Sequence, residues 1–152
     1  MNTARLPAAT ALVASLMWLS ACSVPTAASN VPAAMTVTAR LAGASEVPPL
    51  AGGGSGTVEG LMNGQTRALT WTVSYTGLSG PVTAAHFHGP ALVGQNAAVA
   101  LPIGGNLASP IKGEAVLSEA QAADLMAGRW YVNLHTAANP NGEIRGQVAV
   151  LR

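Results

Sequence analysis

The chain has 152 residues, of which 9% are charged, and its formal net charge is +1. No basic stripe is present, so the sequence excludes nucleic acid as a partner on electrostatic grounds. The length suits one domain with a modest core, and the aliphatic content argues against disorder. Seventeen Gly and ten Pro interrupt short apolar segments, which favours an all-β domain over a helical one.

The N-terminal segment carries Arg5, a short apolar run at residues 12–18, and small residues that lead to Cys22, the only cysteine. The run is too short to span a bilayer. This pattern resembles a bacterial lipoprotein signal peptide, which implies removal of residues 1–21 and lipidation of the Cys22 thiol. Residues 22–34 would then form a lipidated N-terminus and flexible tether. An ordinary secretory signal with a leftover cysteine is the alternative.

The residue after the cysteine is Ser23, and in lipoproteins of this type a non-acidic residue there permits passage to the outer membrane. We therefore expect a protein of the bacterial cell envelope, on the periplasmic side or at the surface. Several acyl chains on one residue would attach it to the membrane without a spanning segment. A protein or envelope component that the sequence does not identify would be its further partner.

Eight short segments carry strand patterns, and one segment carries helix signals. A helix is expected over residues 118–127, because Ser118 and Gln121 stand at the capping-box positions and Gly128 follows the last turn. These elements predict an all-β fold, an antiparallel Greek-key sandwich or barrel with one short helix. The expected strands are 36–41, 57–62, 67–75, 82–88, 97–101, 111–117, 129–136 and 143–151.

All three histidines lie in expected strands. His86 and His88 form a His-x-His pair, and because side chains of a strand alternate, both imidazoles point to one face about 7 Å apart. This separation suits two ligands of one metal ion or two members of one polar network.

The third histidine is placed by the same alternation. In strand 129–136 every second residue is apolar, so the other face is polar. The short connection to strand 143–151 lets the two strands pair antiparallel, which brings polar residues of both strands together. The pattern predicts a polar cluster of four side chains: His135, Asn133, Glu143 and Arg145.

Two interpretations of the histidines remain open from the residues alone. His86, His88 and His135 could bind one copper or zinc ion and leave a fourth position for water or a small ligand. Alternatively, Glu143 and Arg145 pair and the imidazoles satisfy backbone groups in a structural network.

Four segments, in this order, resemble the motifs of the CHRD domain family, which is named for repeats in chordin and also occurs in bacterial exported proteins. The resemblance covers residues 35–152 and implies an all-β extracytoplasmic module with no established reaction. The growth-factor binding of chordin does not transfer to a bacterial lipoprotein. The segments are LAGASEVPP at 41–49, AHFHGPA at 85–91, YVNLHT at 131–136 and NPNGEIRGQ at 139–147.

A weaker similarity is to copper/zinc superoxide dismutases, Greek-key barrels that hold copper with a His-x-His strand and a later strand histidine. This chain has no fourth histidine to bridge two metals and no disulfide. The analogy implies at most a mononuclear copper site, with Arg145 near the open position.

Two functions are therefore expected from different classes. The first is a membrane-anchored binding module that recognises a protein, an envelope component or a metal ion without turnover. The second is a mononuclear copper redox protein, in which Arg145 attracts an anionic substrate such as superoxide. No serine or cysteine lies in a recognisable nucleophile motif, so no catalytic residue is assigned.

Overall fold

The structure, a computed structural model, describes residue 1 and residues 34–151. The predicted signal peptide, Cys22 and the tether up to residue 33 lie outside the described residues. Within the described part, no helix has the length and apolar character needed to cross a bilayer.

Nine strands and one α-helix follow one another in the described chain. A single 3-10 turn at Gly43–Ser45 comes after the first strand. The strands are β1 Ala34–Ala42, β2 Ser55–Asn63, β3 Ala68–Thr76, β4 Val82–His88, β5 Val99–Ile103, β6 Ile111–Val116, β7 Tyr131–Thr136, β8 Ile144–Gln147 and β9 Ala149–Leu151, and α1 is Glu119–Met126, between β6 and β7.

All strand pairs are antiparallel, in the order β5-β4-β7-β8-β1-β2-β3-β6, and the sheet forms a nearly closed barrel of eight strands. The all-β prediction is confirmed, and of the two predicted architectures the structure has the barrel. The connections from β3 to β4 and from β6 to β7 each join strands that are not neighbours in the sheet.

The last predicted strand, 143–151, is two strands in the structure. Both β8 and β9 pair with β1, so together they occupy one position in the barrel. The ladder breaks at Val148, whose N–H donates to the carbonyl of Trp130 just before β7. The strand predicted at 97–101 begins two residues later, at Val99.

Alternation of side chains places the core. Along β3, the residues Leu69, Trp71 and Val73 are buried, as the pattern predicts. Along β7 the apolar residues Val132 and Leu134 also face the interior. The helix prediction is confirmed with both bonds of the capping box, and Gly128 has the positive φ expected after a helix end.

Trp71 fills the space beside two glycines on the flanking strands. It lies opposite Gly60 of β2 and Gly113 of β6. Its ring also packs edge-on against Phe87, with the ring centroids 5.3 Å apart. A Cβ at residue 113 would come 2.4 Å from Cζ2 of Trp71, so the indole requires glycine there.

The substitution Gly113→Ala is therefore expected to lower the free energy of unfolding by about 1–3 kcal/mol, because the buried indole must move. Chemical denaturation measures this change. The control is Gly104→Ala, since a Cβ at that position meets nothing within 4 Å. Equal stabilities of the two variants would contradict the packing described for Trp71.

Candidate metal centre

The three histidines lie together on the outer face of β4 and β7. In the ladder between these strands, His86 lies opposite Asn133, and Ala84 lies opposite His135. Because alternate residues share a face, His86, His88 and His135 point to the same side. One ring nitrogen of each lies within 4.8 Å of the others, so the structure brings the predicted set together.

Backbone carbonyls orient two of the imidazoles. His135 Nδ1–H donates to the carbonyl of Pro140 at 3.0 Å, and His88 Nδ1–H donates to the carbonyl of Ala97 at 2.9 Å. Both bonds leave Nε2 without a proton. In metal sites a ligand imidazole ordinarily donates its other N–H to such an acceptor, which fixes the tautomer.

His135 Nε2, which the bond to Pro140 leaves unprotonated, accepts a hydrogen bond from His86 Nδ1–H. His86 Nδ1 lies 3.1 Å from His135 Nε2. His88 Nε2 is buried and has no hydrogen-bond partner. A buried acceptor without a donor costs free energy, and a bound ion would remove that cost.

Burial keeps two of the imidazoles neutral. It lowers the pKa of His86, and the neighbouring His135 and His88 lower it further. Burial also lowers the pKa of His135, against the opposing effect of its bond to Pro140. A metal ligand must be unprotonated, so both shifts favour metal binding.

The donor set fits copper or zinc. Bonds of about 2.0–2.1 Å to imidazole nitrogens place two ligands about 3.3 Å apart at a tetrahedral ion. The pair formed by His86 Nδ1 and His135 Nε2, at 3.1 Å, stands near this separation.

The loop of residues 89–98, here called the covering loop, lies over the part of this outer face that carries His88, Tyr131 and Arg145. The loop closes on itself through Gly89 N–H and the carbonyl of Ala98. Tyr131 lies beneath it, 3% exposed, and its hydroxyl accepts from Ala97 N–H at 3.2 Å. The Tyr131 ring stacks parallel to the ring of His88, with centroids 4.8 Å apart.

Arg145 holds the covering loop. Its guanidinium donates to the side chain of Asn96 at 2.8 Å and to the carbonyl of Gln95 at 2.5 Å. The guanidinium carbon also lies 3.4 Å from the centroid of the Tyr131 ring. Arg145 is only 2% exposed, so it does not face solvent as the redox alternative requires.

Glu143 does not pair with Arg145, so the ion pair of the structural interpretation is wrong. The only ion pair within residues 34–151 joins Arg129 and Asp124. Glu143 instead accepts hydrogen bonds from a cluster at the end of the barrel. The donors are Ser79 N–H and Oγ, Thr136 Oγ1 and Asn139 Nδ2.

The side chain of Thr136 points to the face of β7 opposite His135, because successive residues alternate. The carboxylate of Glu143 therefore lies on that face, away from the imidazoles. Burial would raise the pKa of Glu143, but these hydrogen bonds hold it at about 2. The predicted polar cluster is thus divided. Asn133 lies beside His86, whereas Glu143 is hydrogen-bonded at the end of the barrel.

The pKa of Glu46 is shifted in the direction opposite to that of Glu143. Its side chain is buried, and Oε1 has no hydrogen-bond partner. Burial raises the pKa of Glu46 to about 7, although Arg145 and the N–H of Val47 act against the rise. Asn133 Oδ1 is a second buried acceptor without a donor.

Sequence reasoning missed the neighbours that orient the site. It placed Tyr131 on the outer face but gave it no role, and it assigned none to Gln95, Asn96 or Ala97. These contacts join residues separated by more than thirty positions or by loops, where periodicity carries no signal.

Comparison with known proteins gives one match. The family model described as "CHRD domain" matches residues 37–148. No curated protein and no solved structure matches the chain.

The Glu143 cluster predicts an acid-dependent stability. Because the pKa falls from 4.5 in the unfolded chain to about 2 in the fold, ionised Glu143 stabilises the protein above pH 4.5. This contribution is lost as the pH falls from 4.5 towards 2. In the variant Glu143→Gln, the free energy of unfolding should be about 1–3 kcal/mol lower at pH 7. It should also depend less steeply on pH between pH 4.5 and pH 2.

Urea denaturation at a series of pH values measures both effects. Glu59→Gln is the control, since Glu59 is exposed on β2. If the free energy of unfolding of Glu143→Gln depended on pH as steeply as that of the parent, the role given to these hydrogen bonds would be contradicted.

Proposed function

The chain belongs to the CHRD domain family, and from this membership and the histidine geometry we propose that it is an extracytoplasmic module that binds one transition-metal ion. The observation that carries the proposal is the convergence of three ring nitrogens within 4.8 Å. Two of the rings already donate their other N–H to backbone carbonyls. Such preorganisation reduces the conformational entropy lost when an ion binds.

The residues that would hold the ion are His86, His88 and His135. Three imidazoles are the donor set that copper and zinc accept, and they leave a further position for water or a small ligand. A bound ion would supply Lewis acidity there. The proposed role is binding without turnover, because Arg145 is engaged with the covering loop and Tyr131 rather than with an anionic substrate.

The proposal includes a lipid anchor in the bacterial cell envelope. Its support is the sequence alone: a short apolar run, small residues and Cys22, followed by the non-acidic Ser23. The barrel would then be tethered to a membrane surface, with the outer membrane as the expected location. Any protein or envelope partner would meet the barrel there.

Metal analysis tests the binding proposal. The purified protein is incubated with copper(I) under ascorbate, copper(II) or zinc(II), freed of excess ion and analysed for metal content, and we expect one ion per chain. The variant His86→Ala/His88→Ala should retain less than about a tenth of that content, because one imidazole cannot hold the ion.

The matched control is Thr70→Ala/Thr72→Ala, which has the same spacing on the outward face of β3. It should bind metal as the parent does. Failure of the parent to bind any of these ions stoichiometrically would end the proposal, as would full binding by the double histidine variant.

Membrane fractionation tests the anchor. The variant Cys22→Ser lacks the thiol that would carry the lipid, so in a bacterial host it should move from the membrane fraction to the soluble fraction. The parent and Ser23→Ala should remain with the membrane. Retention of Cys22→Ser in the membrane fraction would contradict the lipoprotein assignment.

A further inference from the structure

We propose that the three-histidine site is selective for monovalent copper, copper(I), over divalent ions. This inference rests on the proposed function, because it concerns which ion the same three imidazoles hold. It follows from the charges around the site rather than from the donor atoms alone.

The site offers no negative charge to a bound ion. Within residues 34–151, the cluster of metal-binding side chains consists of His86, His88 and His135, with no carboxylate or thiol among them. All three ligands bind as neutral imidazoles. A divalent ion would keep a charge of +2 against the protein, or would recruit an anion from solvent, whereas a monovalent ion keeps half that charge.

A buried positive charge stands close to the site. The guanidinium of Arg145 lies 3.4 Å from the Tyr131 ring centroid, and that ring lies 4.8 Å from the ring of His88. Tyr131 separates them, because β4 and β8 flank β7 on opposite sides. The repulsion between Arg145 and a bound ion is proportional to the charge of the ion, so it penalises a divalent ion twice as much.

Solvent screens this repulsion only weakly. Arg145 is 2% exposed and Tyr131 is 3% exposed, so the space between the charge and the ligand is protein. Mobile ions screen buried charges much less than exposed ones. The guanidinium has neutral hydrogen-bond partners, the Asn96 side chain and the Gln95 carbonyl, so these bonds do not cancel its charge.

The nearby carboxyl groups compensate for this charge only in part. Glu143 lies on the opposite face of β7 and is occupied by Ser79, Thr136 and Asn139. Glu46 interacts with Arg145, but burial raises the pKa of Glu46 to about 7, so near neutral pH its negative charge is reduced.

Affinity measurements on the Cys22→Ser protein test the inference, since this background removes the only thiol. Copper(I) affinity is measured with a competing chelator under ascorbate, and copper(II) affinity with a second chelator in air, both at pH 7. We expect the copper(I) complex to be at least about tenfold tighter. The variant His86→Ala/His88→Ala identifies any copper(I) bound elsewhere.

Two charge variants test the cause of the selectivity. Arg145→Gln removes the positive charge and should reduce the ratio of copper(I) to copper(II) affinity by about tenfold. Glu46→Gln removes the partial negative charge and should increase the ratio about twofold. Arg145→Lys keeps the charge and should keep most of the ratio. A substitution that damaged the site in general would weaken both copper affinities. It would not lower the copper(I) to copper(II) ratio in Arg145→Gln and raise it in Glu46→Gln.

Tighter binding of copper(II) than copper(I) by the parent would overturn the inference, and so would ratio changes of the same sign in Arg145→Gln and Glu46→Gln. If Arg145→Gln does not fold, the copper(I) to copper(II) affinity ratios of the parent and of Glu46→Gln still test the inference. A parent that binds copper(II) or zinc(II) stoichiometrically without preferring copper(I) refutes only this inference. A parent that binds no metal refutes the proposed function itself.

Discussion

The covering loop, residues 89–98, lies across the outer face of β4, β7 and β8, and side chains of these strands hold it by its backbone. Arg145, His88 and Gln147 donate to the carbonyls of Gln95, Ala97 and Ala91, respectively. This cover changes the environment of every outward side chain beneath it. Strand alternation alone would leave these polar groups in water, whereas the loop buries them at fixed distances. The orientation of His88 and the stacking of Tyr131 both depend on it.

Arg145 holds the covering loop in place through hydrogen bonds that satisfy its own buried donors. A buried guanidinium that forms no salt bridge is costly unless its donors are satisfied. Arg145 obtains neutral acceptors from the loop and an aromatic face from Tyr131. A carboxylate in the same place would neutralise the charge but would also present an anion to the neighbouring imidazoles. The arrangement therefore fixes the loop without placing a further carboxylate beside the imidazoles.

Much of this could be predicted from the sequence, where local periodicity decides the structure. The strand patterns, the capping box at Ser118 and the shared face of His86 and His88 all follow from spacing within one element. The parity of β7 and β8 also places Asn133 and Arg145 on the same outer face, where the ladder pairs them. Parity could not show that loops bury this face, or that Ser79 reaches Glu143 from 64 residues away. The break at Val148 likewise depends on a bond to Trp130 that no local pattern carries.

The two buried glutamates show how the fold keeps an ionised carboxylate away from the histidines. Glu143 and Glu46 are the same residue type, yet donors from Ser79, Thr136 and Asn139 hold the pKa of one at about 2, while burial raises that of the other to about 7. The ionised carboxylate is thus committed to the barrel end, on the face of β7 away from His135. The carboxyl on the Arg145 side is the one whose charge is reduced. Because the ionised carboxylate lies away from the histidines, the imidazoles and the buried guanidinium are the groups that would set the properties of a bound ion.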